Sequence, residues 1–112
     1  VSRGVDQIRS HMFNADISTE TFGYVVEHTF EAQSLKVMLC EDVRWQRCDI
    51  KSTSLLGNVL SMNEAKEKGC DEVIMHNDNI LTEAGASNLL FVKDGDICTP
   101  ALENNILPGI AS

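Results

Sequence analysis

A single helical period set between runs of strand limits the folds open to this chain. Leu55, Leu56, Val59, Leu60 and Met62 or Ala65 recur near the helical repeat and form one apolar stripe. Ser52, Thr53 and Ser54 stand before it as residues suited to an N-cap. Glu64 and Lys68 make an i,i+4 pair on the outer face, and Gly69 fits the left-handed position beyond a helix end. The pattern predicts a helix over 53–68 whose stripe faces a core. Upstream, Leu35 to Trp45 reads as extended, and 35–39 carries apolar residues on both faces, which suits a strand covered on both sides. Downstream, 72–76, 80–83, 88–93 and 96–99 read as strands. Asn77-Asp78-Asn79 and Asp94-Gly95 supply turns between them. Strand, helix, then hairpin-linked strands point to an α+β fold or a mixed barrel rather than a doubly wound parallel sheet.

Charge and composition exclude several functions. The 112 residues carry a formal net charge of −8, with no cluster of lysine and arginine. Nucleic-acid binding needs a basic footprint that this chain lacks. No apolar run is long enough to span a bilayer, and no signal-peptide pattern is present. Cys40, Cys48, Cys70 and Cys98 lack Cys-x-x-Cys spacing and the three histidines are scattered. Zinc-site spacing is therefore missing, and reduced, partly buried thiols are expected.

Four places can carry chemistry. Lys51 sits at the hinge between strand and helix, where an amine can project from a rigid scaffold and form a Schiff base. Glu83 lies in the second strand of the first hairpin, ahead of the small, bendable Gly85-Ala86-Ser87. Arg9 and His11, two residues apart in an extended loop after the Gly4 turn, can point the same way and suit a carboxylate. Pro108-Gly109 fixes a tight loop, and backbone N–H groups beyond it suit a phosphate. Trp45 and Tyr24 are expected to pack. Residues 14–34 show no dominant period.

The segment Asp42-Val43-Arg44-Trp45-Gln46-Arg47-Cys48-Asp49-Ile50-Lys51-Ser52, with Leu55-Leu56-Gly57 after it, resembles the cofactor-lysine segment of D-amino-acid transaminases. These are pyridoxal-phosphate enzymes of fold type IV, or class IV aminotransferases. The resemblance runs over most of the chain and is strongest from Glu41 to Gly109. It implies an incomplete α+β pseudo-barrel. Residues 1–13 would end an N-terminal domain, 14–34 would connect, and 35–112 would begin the cofactor-binding domain.

By the same resemblance Lys51 holds pyridoxal 5'-phosphate, and Glu83 keeps the pyridine nitrogen protonated. Leu107 packs on the ring. Ile110 and Ala111 hold the phosphate, with alanine where threonine is usual. Arg9 and His11 bind the α-carboxylate, although one extra residue lies before Arg9 and Asn14 replaces a frequent proline. Ser87 contacts substrate, and Ala86 replaces the serine of some relatives. The implied reaction passes an amino group from a D-amino acid such as D-alanine to a 2-oxo acid such as 2-oxoglutarate. Small-molecule substrates, a homodimer and a cytoplasmic location follow from it. A branched-chain aminotransferase, an aminodeoxychorismate lyase, a passive cofactor binder and an idle fragment are the alternatives.

Overall fold

A parallel strand pair bridged by the helix organises the C-terminal part of the chain. The computed structural model describes residues 1–103 and 105–110. It divides into two units, Val1–Ala32 and Gln33–Ser112. In the second unit, β1 (Val37–Glu41) runs parallel to β2 (Glu72–Asn77), and α1 (Leu56–Glu67) makes the connection. A parallel pair needs such a crossover, because a tight turn can only reverse the chain. The pair is closed at its start by Asp71, whose N–H donates to the Lys36 carbonyl at 2.7 Å while its carboxylate accepts the Lys36 N–H at 2.8 Å.

β3 (Ile80–Ala84) returns antiparallel to β2 and completes a mixed sheet in the order β1-β2-β3. Asp78 and Asn79, the two residues of the turn, both have positive φ (47° and 63°), a conformation that short polar side chains tolerate. A separate two-stranded hairpin follows, β4 (Phe91–Lys93) and β5 (Asp96–Cys98), turning at Asp94-Gly95 as expected. The architecture is α+β; β1 starts at Val37 rather than Leu35 and β4 at Phe91 rather than Asn88, while β2 and β3 each run one residue further than expected.

The helix departs from its expected form in two ways. It begins at Leu56, without a side-chain cap, so Ser52, Thr53 and Ser54 lie in the loop before it. Most of its predicted stripe also lies outside the core: Leu55, Leu56, Val59 and Leu60 are exposed, Leu60 to 59%, and only the Met62 and Ala65 end of the stripe reaches it. The buried face is Ser61 and Ala65, packed with Met62 on Val73 and Met75 of β2 and Met38 and Cys40 of β1. Small residues let the helix sit close to the sheet. Gly57 lets the first turn sit close to the chain just past β1: a Cβ there would lie 3.0 Å from the Arg44 Cα. The other sheet face is likewise open at Val37 and Leu39, so β1 is covered on one side only. The Glu64–Lys68 pair and the left-handed Gly69 are as expected.

The first unit is largely irregular. Ser2 pairs with Glu20 in one antiparallel bridge, and Gly4 turns with φ 105°. Tyr24 lies exposed with its ring 5.9 Å from that of Phe22, a surface contact rather than the core packing expected of it. Trp45 in the second unit is exposed as well, against the same expectation.

Candidate active site

The end of β1 and an irregularity in β3 together build the polar centre of the second unit. Past Glu41 the chain stays beside β2 for one more residue, with the Asp42 N–H donating to the His76 carbonyl at 2.9 Å. In the facing hairpin, His76 pairs with Leu81 and Ile74 with Ala84, so Thr82 and Glu83 both stand opposite Met75. This extra residue is a β-bulge, which re-aims side chains. Thr82, Glu83 and Ala84 are all buried in succession, which strict strand alternation would forbid. Glu83 is thereby an interior carboxylate, not a solvated residue of an edge strand.

Arg44 is its counterion. Its guanidinium grips Asp42 with two bonds, Nε to Oδ1 at 3.0 Å and Nη2 to Oδ2 at 2.7 Å. It also donates Nη1 to Glu83 Oε2 at 2.7 Å and Nη2 to the Asn105 carbonyl at 2.6 Å. The side chains of Arg44, Asp42 and Glu83 are only 5%, 4% and 10% exposed. A planar fork can serve several oxygens at once, which a lysine ammonium cannot match in geometry. Burial drives the Asp42 carboxyl up, but hydrogen bonds from Arg44 and from the Thr82 hydroxyl (2.7 Å), with the Arg44 charge, hold it below its usual value. Burial likewise pulls Arg44 down, and the bonds and charge of Asp42, with Glu83, raise it. Arg44 was absent from the residues singled out by sequence. The signal that could have found it is Asp-x-Arg directly after a strand, where Asp42 also accepts the Arg44 N–H at 3.1 Å.

The turn after Glu83 is clamped from two sides. Glu72 Oε1 accepts the Gly85 N–H and the Val73 N–H, each at 2.9 Å, and Asn58 of α1 donates to the Gly85 carbonyl at 2.8 Å. A Cβ at Gly85 would lie 2.5 Å from Met62 Sδ and 2.7 Å from that Glu72 oxygen, so any larger residue must push one of these side chains aside. Ser87 is exposed and donates to Glu72 Oε2 at 3.4 Å. Asn88 donates through Nδ2 to Glu83 Oε1 at 3.1 Å and to the Leu107 carbonyl at 3.2 Å. Glu72, Asn58 and Asn88 were also missed, because their roles depend on partners distant in sequence.

Lys51 lies in the loop between β1 and α1, exposed, its ammonium without a hydrogen bond or ion pair among the described residues. The loop before it is held locally, by Ile50 N–H to the Arg47 carbonyl at 3.1 Å, Cys48 Sγ to the Trp45 carbonyl at 3.0 Å and an exposed Arg47–Asp49 pair. Burial pushes the Cys48 thiol up, which keeps it protonated. All four cysteines are free. Leu107 is half-buried and Ile110 exposed, while Ala111 lies outside the described residues. Arg9 and His11 are exposed in the first unit. A small cavity of about 70 Å³ opens beside Glu83, with Thr82, Asn88, Leu89, Leu102 and Ile106 on its walls. A polar cleft of about 740 Å³ is lined by Gln46, Arg47, Asn77, Glu103 and Asn105. No helix among the described residues is long and apolar enough to cross a membrane.

This arrangement sets a buried acid, paired with a guanidinium, beside a small cavity. The chain is 40% identical over 118 residues to a D-alanine aminotransferase of Listeria monocytogenes serotype 4b (strain F2365), covering 98% of this chain and 40% of that protein. It is 46% identical over 78 residues to a D-alanine aminotransferase of Staphylococcus epidermidis (strain ATCC 12228), covering 70% of this chain and 28% of the relative. A D-alanine aminotransferase of Staphylococcus haemolyticus is 49% identical over 70 residues, 62% of this chain and 25% of the relative. The chain thus spans about two fifths of the length of the first of these relatives. The model of the amino-transferase class IV family matches residues 1–112, and the chain belongs to that family.

Proposed function

We propose that this chain carries the cofactor lysine and its supporting acid in a pyridoxal-phosphate-dependent D-amino-acid transaminase. The observation that carries the reading is the buried Glu83 side chain, bonded on one oxygen by Arg44 and on the other by Asn88, in a chain of this family. The donor chemistry fits the cofactor. Each carboxylate oxygen has more than one lone pair, so Glu83 can keep both present partners and still accept from a protonated ring nitrogen. The apolar wall of the neighbouring cavity suits the edge of a ring.

When bound, pyridoxal phosphate supplies an electron sink for the carbanion left as a substrate loses its α-proton. Lys51 would hold the cofactor covalently through its amine. Once displaced by substrate, that amine would carry the proton between the substrate α-carbon and the cofactor C4′. Glu83 would keep the ring nitrogen charged, because an opposite charge favours the protonated form. Leu107 would pack on the ring, and the N–H groups of Ile110 and Ala111 would hold the phosphate. Arg9 and His11 would bind the α-carboxylate and Ser87 would contact the substrate. Residues 1–13 would close an N-terminal domain, 14–34 would connect, and 35–112 would open the cofactor domain. D-Alanine as donor and 2-oxoglutarate as acceptor, a homodimeric assembly and a cytoplasmic location complete the proposal.

The test is to incubate the purified protein with pyridoxal phosphate, reduce with borohydride and map the modified peptide by mass spectrometry. A single pyridoxyl adduct at Lys51, abolished by Lys51→Ala, is expected. Scattered labelling, or none, in a folded sample would sink the assignment. Formation of pyruvate from D-alanine and 2-oxoglutarate then separates a transaminase from a passive binder.

A further inference from the structure

Each oxygen of Glu83 reaches the same loop through its own donor. Arg44 spans Oε2 (2.7 Å) and the Asn105 carbonyl (2.6 Å). Asn88 Nδ2 spans Oε1 (3.1 Å) and the Leu107 carbonyl (3.2 Å). Both neighbours of that nitrogen are pure acceptors, and an amide nitrogen carries two N–H bonds, so the orientation of Asn88 is fixed and both bonds form at once. Ile106, between the two carbonyls, is buried and lines the cavity beside Glu83. The backbone at 105–107 therefore cannot slide past Glu83 without breaking a bond on one side or emptying the Ile106 position.

We infer that Asn88 is a positioning residue that registers the 105–109 loop on Glu83, and so couples the acid facing the cofactor ring to the loop facing the cofactor phosphate. This rests on the function proposed above. Arg44 makes the equivalent link, but its loss would also strand Asp42 in the interior. Asn88 is exposed and its only described side-chain bonds are these two, so it can be changed without removing core.

The experiment uses the full-length gene product as parent, Asn88→Ala and Asn88→Asp. Asn88→Asp keeps the shape, removes both donors and sets a second carboxylate against Glu83. Dissociation constants are measured for pyridoxal phosphate and for pyridoxal, together with amide hydrogen exchange of the cofactor-free proteins. The gain in affinity that the phosphate confers should fall about tenfold in Asn88→Ala, the worth of a hydrogen bond to a charged group, and further in Asn88→Asp. Exchange should quicken across 105–110 while β1 and β2 stay protected. A purely structural role would weaken both ligands alike. An unchanged phosphate gain therefore overturns the inference while leaving the Lys51 assignment standing. Failure of the parent to bind either aldehyde overturns both.

Discussion

Replacing Arg44 with methionine tests the polar centre most directly. Methionine keeps much of the aliphatic stem but removes every donor, leaving Asp42 and Glu83 as carboxylates that are 4% and 10% exposed. Removing one partner of a buried ion pair costs about 3–5 kcal/mol, because the remaining charge is stranded. A domain of ordinary stability holds about 5–15 kcal/mol, so Arg44→Met should bring the protein close to unfolding. With a urea slope of about 2 kcal/mol per molar, the midpoint should fall by about 2 M. The assay is urea unfolding followed by circular dichroism at pH 7 and again at pH 5. Stranded buried carboxylates take up protons more readily than in the unfolded chain, so their folded pKa is raised. Their neutral forms then favour the fold at low pH, and that benefit is lost as pH rises, so the variant should be more stable at pH 5 than at pH 7. A loss under about 1 kcal/mol with no pH dependence would mean that the cluster is solvated, with the energetics of a surface pair.

Three further outcomes follow from the same geometry. The parent should lose stability as pH falls below the ordinary carboxylate range: the folded Asp42 pKa is lowered, so its contribution is full above the unfolded value and disappears as pH drops through the folded one. Asp42→Asn should flatten that acid limb of the pH–stability curve, and an unaltered limb would remove Asp42 from the account. Gly85→Ala should cost about 1–3 kcal/mol in urea unfolding, since the new methyl meets Met62 and the Glu72 oxygen that holds the turn; a cost below about 0.5 kcal/mol would show that the turn yields. Met75→Ala, at a fully buried position, should cost about 2–5 kcal/mol, whereas Leu60→Ala at an exposed one should stay within about 0.5 kcal/mol. Equal costs would return the leucine stripe to the core.

The sequence by itself determined the elements and their order. The hairpin at Asp78-Asn79, the turn at Asp94-Gly95 and the helix that ends before Gly69 follow from backbone preferences of a few adjacent residues. The family segment around Lys51 was also legible there. Tertiary structure alone decided which surfaces meet. A helix with apolar residues on more than one side cannot reveal from its period which side is covered, and here the small Ser61 and Ala65 win because they let α1 approach the sheet. The bulge that turns Glu83 inward depends on the register between β2 and β3, a relation that alternation along one strand does not contain. Arg44 and Asn88 acquire their roles only when the ends of β1 and β3 and the 105–107 backbone come together. Local rules set each element because neighbouring atoms fix its torsions, whereas the partners of a buried charge are chosen by the fold, which brings distant oxygens to one guanidinium.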